Sequence, residues 1–581
     1  HQEIPKINLT YIINILSTIK KLFMFIKRKI TLLLITAILS TLIFACSESN
    51  QDELMTSNQE IGEEKSSIAP SLKDNDGNLS ETSGGTLKRL WGDPPTLDPH
   101  LVTDTTSAGL VVEMFSGLVS LNSELEIVPD LAESWDVSEG GTQYTFNLRD
   151  DIKFSDGSSV TARDFIYSFN RAANPETESP VAELYLGDIV GAQDVIDGIA
   201  SEISGIKLID DKTLQINIDS PKAYFLAKLT YPTAYVLKES NVSAGENWTD
   251  SPVGTGSFQL ERYDLGQILI LKRNDYYWGE LAKLDRVEFN LAGGVPMAMY
   301  ENGEIDITGV GLADLERVQN PSDPLNNDLV MVPPSFTINY IGFNVSMPPF
   351  DDPNFRKALN YAVDKQLIAS SVYSDLVRPA YGILPPNFPG FSSDIKGLDY
   401  DPDKALRFLE QSKYADPESR PPIVVTIPGT GGSPSLDMEV VADMWDRILG
   451  VQIEIQQVEW ATYLQDLHRE RLQVWGGSGW QADYPDPQDF IDILFHSESK
   501  GNHGMYGNAD VDKLLEEART DQDPLSRFSK YNKAEQMIID DAPWLPMWFD
   551  QEGMALINSR VKGFEFTPLI VPKLKNVYIQ N

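Results

Sequence analysis

Ile423-Val424-Val425-Thr426-Ile427, a Gly/Ser loop, a helical stretch over Ser435–Leu449, then Val451-Gln452-Ile453-Glu454-Ile455: this order decides the fold. β-Branched residues load the two flanking runs, as strands prefer. Parallel neighbours need a crossover rather than a tight turn, so strand–helix–strand implies a parallel sheet. Working outward, strands are expected at Thr213–Ile218, Gly256–Leu260, Ile268–Lys272 and Arg286–Asn290, and at the alternating Tyr144-Thr145-Phe146-Asn147-Leu148. Helices are expected at Ser107–Val119, Asp352–Val363, Pro402–Gln411, Val511–Ala518 and Ser526–Ile539. Another starts at Thr161, with Asp164 placed to close a capping box. Strands and helices mix throughout, so the class is α/β in more than one lobe.

Shortly after that unit comes Val474-Trp475-Gly476-Gly477-Ser478-Gly479-Trp480-Gln481-Ala482-Asp483-Tyr484-Pro485-Asp486-Pro487. Glycines let another backbone approach, and Trp480 and Tyr484 offer apolar walls with polar tips. Asp483 stands between them, and a half-buried acid is costly unless a cation neutralises it. The segment is expected to line a ligand cleft in which Asp483 holds the amino end of a peptide. The same residues also read as an ordinary strand followed by an Asp-Pro turn.

Met24 opens an export signal: Lys27-Arg28-Lys29, an apolar run from Ile30 to Phe44, then Ala45-Cys46. That run is shorter than the roughly 20 apolar residues of a spanning helix. Residues 1–45 carry six Lys/Arg and one acid, so their removal takes the net charge from −39 to −44. A body this acidic repels phosphate backbones, which excludes a nucleic-acid reader. Cys46 is the only cysteine, so neither an internal disulfide nor a cysteine zinc cluster is available. From Ser47 to about Gly85 the chain is rich in Ser, Asn, Glu and Asp without aromatics, the composition of a disordered tether.

Catalytic constellations are missing from the sequence. It has no P-loop, no His-Glu-x-x-His and no Gly-x-Ser-x-Gly elbow. Gly429-Thr430-Gly431-Gly432 is a weak nucleotide signal. The histidines are scattered, with only His496 and His503 close enough in sequence to approach each other. Asp483 and Asp486, three apart in a proline-bounded turn, are poorly placed to face each other across a sugar.

Several motifs in order carry a resemblance. Pro129-Asp130-Leu131-Ala132-Glu133-Ser134-Trp135, Phe154-Ser155-Asp156-Gly157 and Val160-Thr161-Ala162-Arg163-Asp164 are followed by Pro252-Val253-Gly254-Thr255-Gly256 and Gly303-Glu304-Ile305-Asp306-Ile307. Pro348-Pro349-Phe350-Asp351-Asp352 with Arg356-Lys357-Ala358-Leu359-Asn360 completes the series. The chain resembles the family 5 extracellular solute-binding proteins of ABC importers, in their oligopeptide-binding branch. Ala45-Cys46 is similar to the lipobox of bacterial lipoproteins, which implies a diacylated Cys46 as the membrane anchor.

The resemblance implies an α/β class II periplasmic-binding-protein fold: two clamp lobes and an extra third lobe. Their expected extents are 86–128, 253–346 and 551–581 for the first lobe, 129–252 for the extra lobe and 347–550 for the other clamp half. Residues 1–45 would be leader and 46–85 lipidated tether. The resemblance also implies a short peptide lying extended on the backbone of Ser478, Gly479 and Gln481, with its α-ammonium on Asp483. Trp480 and Tyr484 would wall its first residues, and Ser116-Gly117-Leu118 would meet its other side. The expected partners are that peptide and ABC permease subunits. The protein is expected as an extracytoplasmic monomer, held to the membrane only by its lipid, with no cofactor, metal or catalysis. Another ligand within the family (an oligosaccharide, nickel chelate or opine-like cation) and a secreted hydrolase are the alternatives.

Overall fold

The computed structural model describes residues 84–580. The leader, Cys46 and nearly all of the tether lie outside them. Among the described residues no helix is long and apolar enough to cross a membrane.

Three sheets organise the described chain. The first has seven strands, in the order Leu329–Val332, Gly553–Ile557, Ile307–Gly309, Thr86–Leu90, Arg286–Asn290, Ile268–Arg273 and Phe258–Asp264. Thr86–Leu90 runs parallel to both its neighbours. The second is an antiparallel sheet of Ala132–Val137, Gln143–Leu148, Thr213–Asn217 and Ile206–Asp210. The Ala162–Ala173 helix belongs to this region, where Phe165, Phe169 and Ala172 share one core with Phe146, Leu214 and Ile216. The Asp164 carboxylate accepts from the Thr161 N–H and hydroxyl, both at 2.8 Å, closing the expected cap.

The third sheet contains the strand–helix–strand unit. Val424–Pro428 and Glu454–Val458 pair in parallel, and the Leu436–Leu449 helix supplies the crossover that a parallel pair requires. The sheet continues through Val474–Trp475, Thr337–Phe343 and Trp544–Asp550 to Val377–Pro379. Thr337–Phe343 corrects one expected boundary. Allotted to the first lobe by motif position, it is a central strand of the third sheet, so the division falls before Thr337 rather than at 347. Its Ile338, Ile341 and Phe343 are buried, which a strand between two partners demands.

Several of the sequence motifs are fastenings of these sheets. Asp306, 1% exposed, binds the Arg560 guanidinium at 2.6 Å and the Lys88 N–H at 2.8 Å, tying three strand ends together. The Arg356 guanidinium donates to the carbonyls of Phe350, Asp541 and Ala542, so one buried cation satisfies three chain turns. A Cβ on Gly254 would lie 2.1 Å from the Met114 carbonyl oxygen, which explains the glycine of that motif.

Candidate ligand-binding cavity

Val474 and Trp475 are buried between the Thr337–Phe343 and Val424–Pro428 strands. Gly477, at φ +69°, then bends the chain in a conformation that side chains disfavour. The chain returns to the Thr337–Phe343 strand as a second short strand, Gly479–Gln481, with Gly479 opposite Asn339 and Trp480 opposite Ile338. Gly479 must lack a side chain, because its Cβ would lie 2.4 Å from the Ile338 carbonyl oxygen.

This pairing leaves one edge open. The Ala482 N–H donates to the Phe336 carbonyl at 2.9 Å. Bonded and non-bonded pairs alternate along an antiparallel ladder. Trp480 therefore turns its main chain toward the Thr337–Phe343 strand, and Gly479 and Gln481 turn theirs away. On that outer side no second strand pairs with Gly479–Gln481 among the described residues. The edge faces a cavity of about 310 Å³, whose wall includes Gly477 through Asp483.

The rest of the wall comes from far along the chain. Thr103–Thr105 and Ala108 enter from the start of the Thr105–Met114 helix, and Thr230–Pro232 from the loop after the four-stranded sheet. Trp460, Tyr463, Leu464, Leu467 and His468 present one face of the Trp460–His468 helix. Trp460 lies flat on Tyr463, with centroids 5.6 Å apart, and its indole N–H reaches the Asp104 carboxylate at 3.4 Å.

Asp483 is half-buried in this wall. The Tyr185 hydroxyl donates to its Oδ2, and Tyr185 is itself stacked on Tyr231 at 3.9 Å between centroids. Loss of water raises the Asp483 carboxyl to about 7, with the Tyr185 bond opposing that rise. The Asp483 N–H donates to Asp489 Oδ2 at 2.9 Å. Asp489 is fully buried, and desolvation together with the nearby Asp483 charge drives its carboxyl well above the usual range. Desolvation raises both carboxyls, and the two acids titrate as a pair. Asp486 is engaged elsewhere, in a buried ion pair with Arg527 at 2.5 Å.

The expected residues divide cleanly. Ser478, Gly479, Trp480, Gln481 and Asp483 all line the cavity. The Ser478 hydroxyl pairs with Tyr463 at 2.7 Å, and by the same alternation its main chain does not share the open edge. Tyr484 does not wall the cavity. It is 0% exposed, bonds Gln488 through its hydroxyl and packs edge-on against Tyr185. Ser116, Gly117 and Leu118 are likewise displaced from the role given to them. Their carbonyls accept from Val236, Leu131 and Ala132, and the Ser116 N–H donates to Thr255 Oγ1 at 3.0 Å, so this stretch is internal scaffold. His503 meets His468 at 3.0 Å rather than His496, which sits 3.6 Å from Glu516.

Sequence reasoning missed Asp104, Tyr185, Tyr231, Trp460 and His468. Only the helix offered a signal: Trp460, Tyr463, Leu464, Leu467 and His468 recur at helical spacing.

A family model described as bacterial extracellular solute-binding proteins, family 5, middle, matches residues 126–502. The oligopeptide-binding protein OppA of Bacillus subtilis is 30% identical over 509 residues, covering 84% of this chain and 90% of that protein. The murein tripeptide binding protein MppA of Escherichia coli superposes with a TM-score of 0.77 at 27% identity, covering 86% of this chain and 99% of the other. The unliganded open form of the same protein fits less well, at 0.60, with 28% identity and coverage of 86% and 98%.

Proposed function

Because the chain belongs to the bacterial extracellular solute-binding proteins, family 5, we propose that it captures short peptides outside the cytoplasm and delivers them to an ABC permease. The observation that carries this reading is the open Gly479–Gln481 edge ending at Asp483. An extended peptide would add itself there as a strand, pairing its main chain with Gly479 and Gln481. Its α-ammonium would meet Asp483, whose proton is already loosely held near neutrality. Main-chain pairing leaves side chains to the aromatic and aliphatic walls, where bridging water substitutes for direct bonds.

In this reading the protein does no chemistry on its ligand. The sheets act as lobes that close over the peptide, and the closed state is the one a permease would distinguish. Diacylation of Cys46 would hold the protein at the membrane, with the acidic segment as tether. Labelling with a radioactive fatty acid, lost in Cys46→Ser, tests that part separately.

Calorimetry with free and N-acetylated alanine tripeptides tests the central claim. Free peptides are expected to bind about tenfold or more tightly than acetylated ones, the worth of a charge-assisted bond, and Asp483→Asn should abolish the difference. Equal affinities in the wild type would remove Asp483 from its assigned role. Recovery of fragments instead of intact peptide would turn the reading toward a hydrolase.

A further inference from the structure

The cavity wall has an uneven charge. Asp104, Asp483, His468 and His503 all line it, and among the described residues no Lys or Arg does. Two of these groups have a buried atom with no hydrogen-bond partner, which is the unusual state for a buried polar group.

Asp104 is 8% exposed. Its Oδ1 caps the Thr105–Met114 helix, accepting from Thr106 at 2.9 Å and Ser107 at 3.0 Å, and also meets the Trp460 indole. Its Oδ2 is buried and unpartnered. Capping accounts for one oxygen and leaves the other a strong acceptor.

The histidine pair has one consistent proton arrangement. His503 Nδ1 lies 2.8 Å from the Gly501 carbonyl, which can only accept, so Nδ1 carries the proton. Burial and the neighbouring imidazole keep His503 neutral, lowered to about 3, so its Nε2 is a bare acceptor. His468 Nδ1, 3.0 Å away, must then carry its own proton. His468 is also neutral, lowered to about 4 by burial, which leaves a bare lone pair on its Nε2 with no partner. Among the described residues no group of three His, Cys, Asp or Glu side chains comes together to complete a metal set.

We infer that this cavity is built for a basic peptide whose carboxylate lies outside it. The α-ammonium sits at Asp483, a Lys or Arg side chain of the ligand at Asp104, and a ligand N–H on His468 Nε2. The inference rests on the peptide reading above. An acceptor-lined wall without a cation favours donors and positive charge, and it rejects an anionic end through the same groups, which is how one site sorts related ligands. The Trp460–His468 helix places His468 eight residues from Trp460, about 12 Å along the wall at 1.5 Å per residue, so the two subsites take different parts of the ligand.

The test is calorimetry with Lys-Ala-Ala, Ala-Lys-Ala and Ala-Ala-Lys against the same peptides carrying norleucine in place of lysine. Each is measured as free acid and as C-terminal amide, on the full chain and on Asp104→Asn. Asparagine keeps the helix cap and removes the charge. In at least one register lysine is expected to gain about tenfold over norleucine, and that gain should vanish in Asp104→Asn. The amides should bind at least as tightly as the acids. Equal binding of lysine and norleucine in all registers, a lysine gain that survives Asp104→Asn, or tighter binding of the acids would overturn the inference. If N-acetylation still abolishes binding in those cases, the peptide reading stands while this one falls; if no peptide binds, both fall.

Discussion

The Tyr185 hydroxyl donates to Asp483 Oδ2 across 298 residues of sequence. That bond sets how acidic Asp483 is, because it is what opposes the desolvation of the carboxylate. Tyr185→Phe keeps the ring stack on Tyr231 but removes the donor. The Asp483 carboxyl should then rise further, and peptide affinity at pH 7 should fall by about tenfold, as for a lost bond to a charged group. Calorimetry at pH 7 and 8.5 checks this: the deficit should shrink at the higher pH, where the carboxylate is charged in either protein.

The affinity of the wild type should itself depend on pH. In the empty cavity Asp483 is raised to about 7, while a peptide amine titrates near 8. Below about pH 7 binding must expel a proton from Asp483, so affinity should drop by up to about tenfold per pH unit. Above about pH 8 the ammonium is lost instead. An optimum between the two is expected, with proton release detected at pH 6 as a dependence of binding heat on the buffer's ionisation enthalpy. His468 and His503, lowered to about 4 and about 3, stay neutral across this range.

Stability of the empty protein should move in the opposite sense. Asp483 is more basic folded than unfolded, so the folded state binds its proton more tightly. Its favourable contribution is present at low pH and disappears as pH rises through about 7. Asp483→Asn removes the charge but can still accept from Tyr185. Its melting temperature should exceed that of the wild type at pH 8, and the gap should close toward pH 5. Ligand-free thermal scans decide it, and a variant less stable than wild type at pH 8 would contradict the assigned burial.

Gly479→Ala tests the open edge. The new methyl would fall 2.4 Å from the Ile338 carbonyl oxygen, so the Gly479–Gln481 strand must lift from its partner. A clash of this kind costs about 1–3 kcal/mol. The melting temperature should fall, and peptide affinity should fall with it even though no ligand-binding side chain is touched.

The local elements were readable because their causes are local. Pro402–Gln411 and Arg286–Asn290 appear as expected from helical periodicity and alternation. Phe115 to Leu118 departed from expectation: the helix stops at Met114, because the Pro252–Gly256 segment packs against its last carbonyls and allows no further turn. Tyr484 shows the same limit at the site. An aromatic next to a binding acid looks like a wall, but Tyr484 lies past the end of the strand and is held in the core by Tyr185 and Gln488.

By itself the sequence determined the α/β class, the strand–helix–strand unit and the glycine-rich segment that lines the cavity. Those depend on hydrophobic period, turn chemistry and charge within a few residues of one another. Tertiary structure alone decided that Asp483 answers to Tyr185 and Asp489, that Asp104 faces the same cavity, and that His468 is left with a bare lone pair. Each of those depends on desolvation by segments far apart in the chain, and burial is a property of the folded surroundings rather than of any stretch of residues.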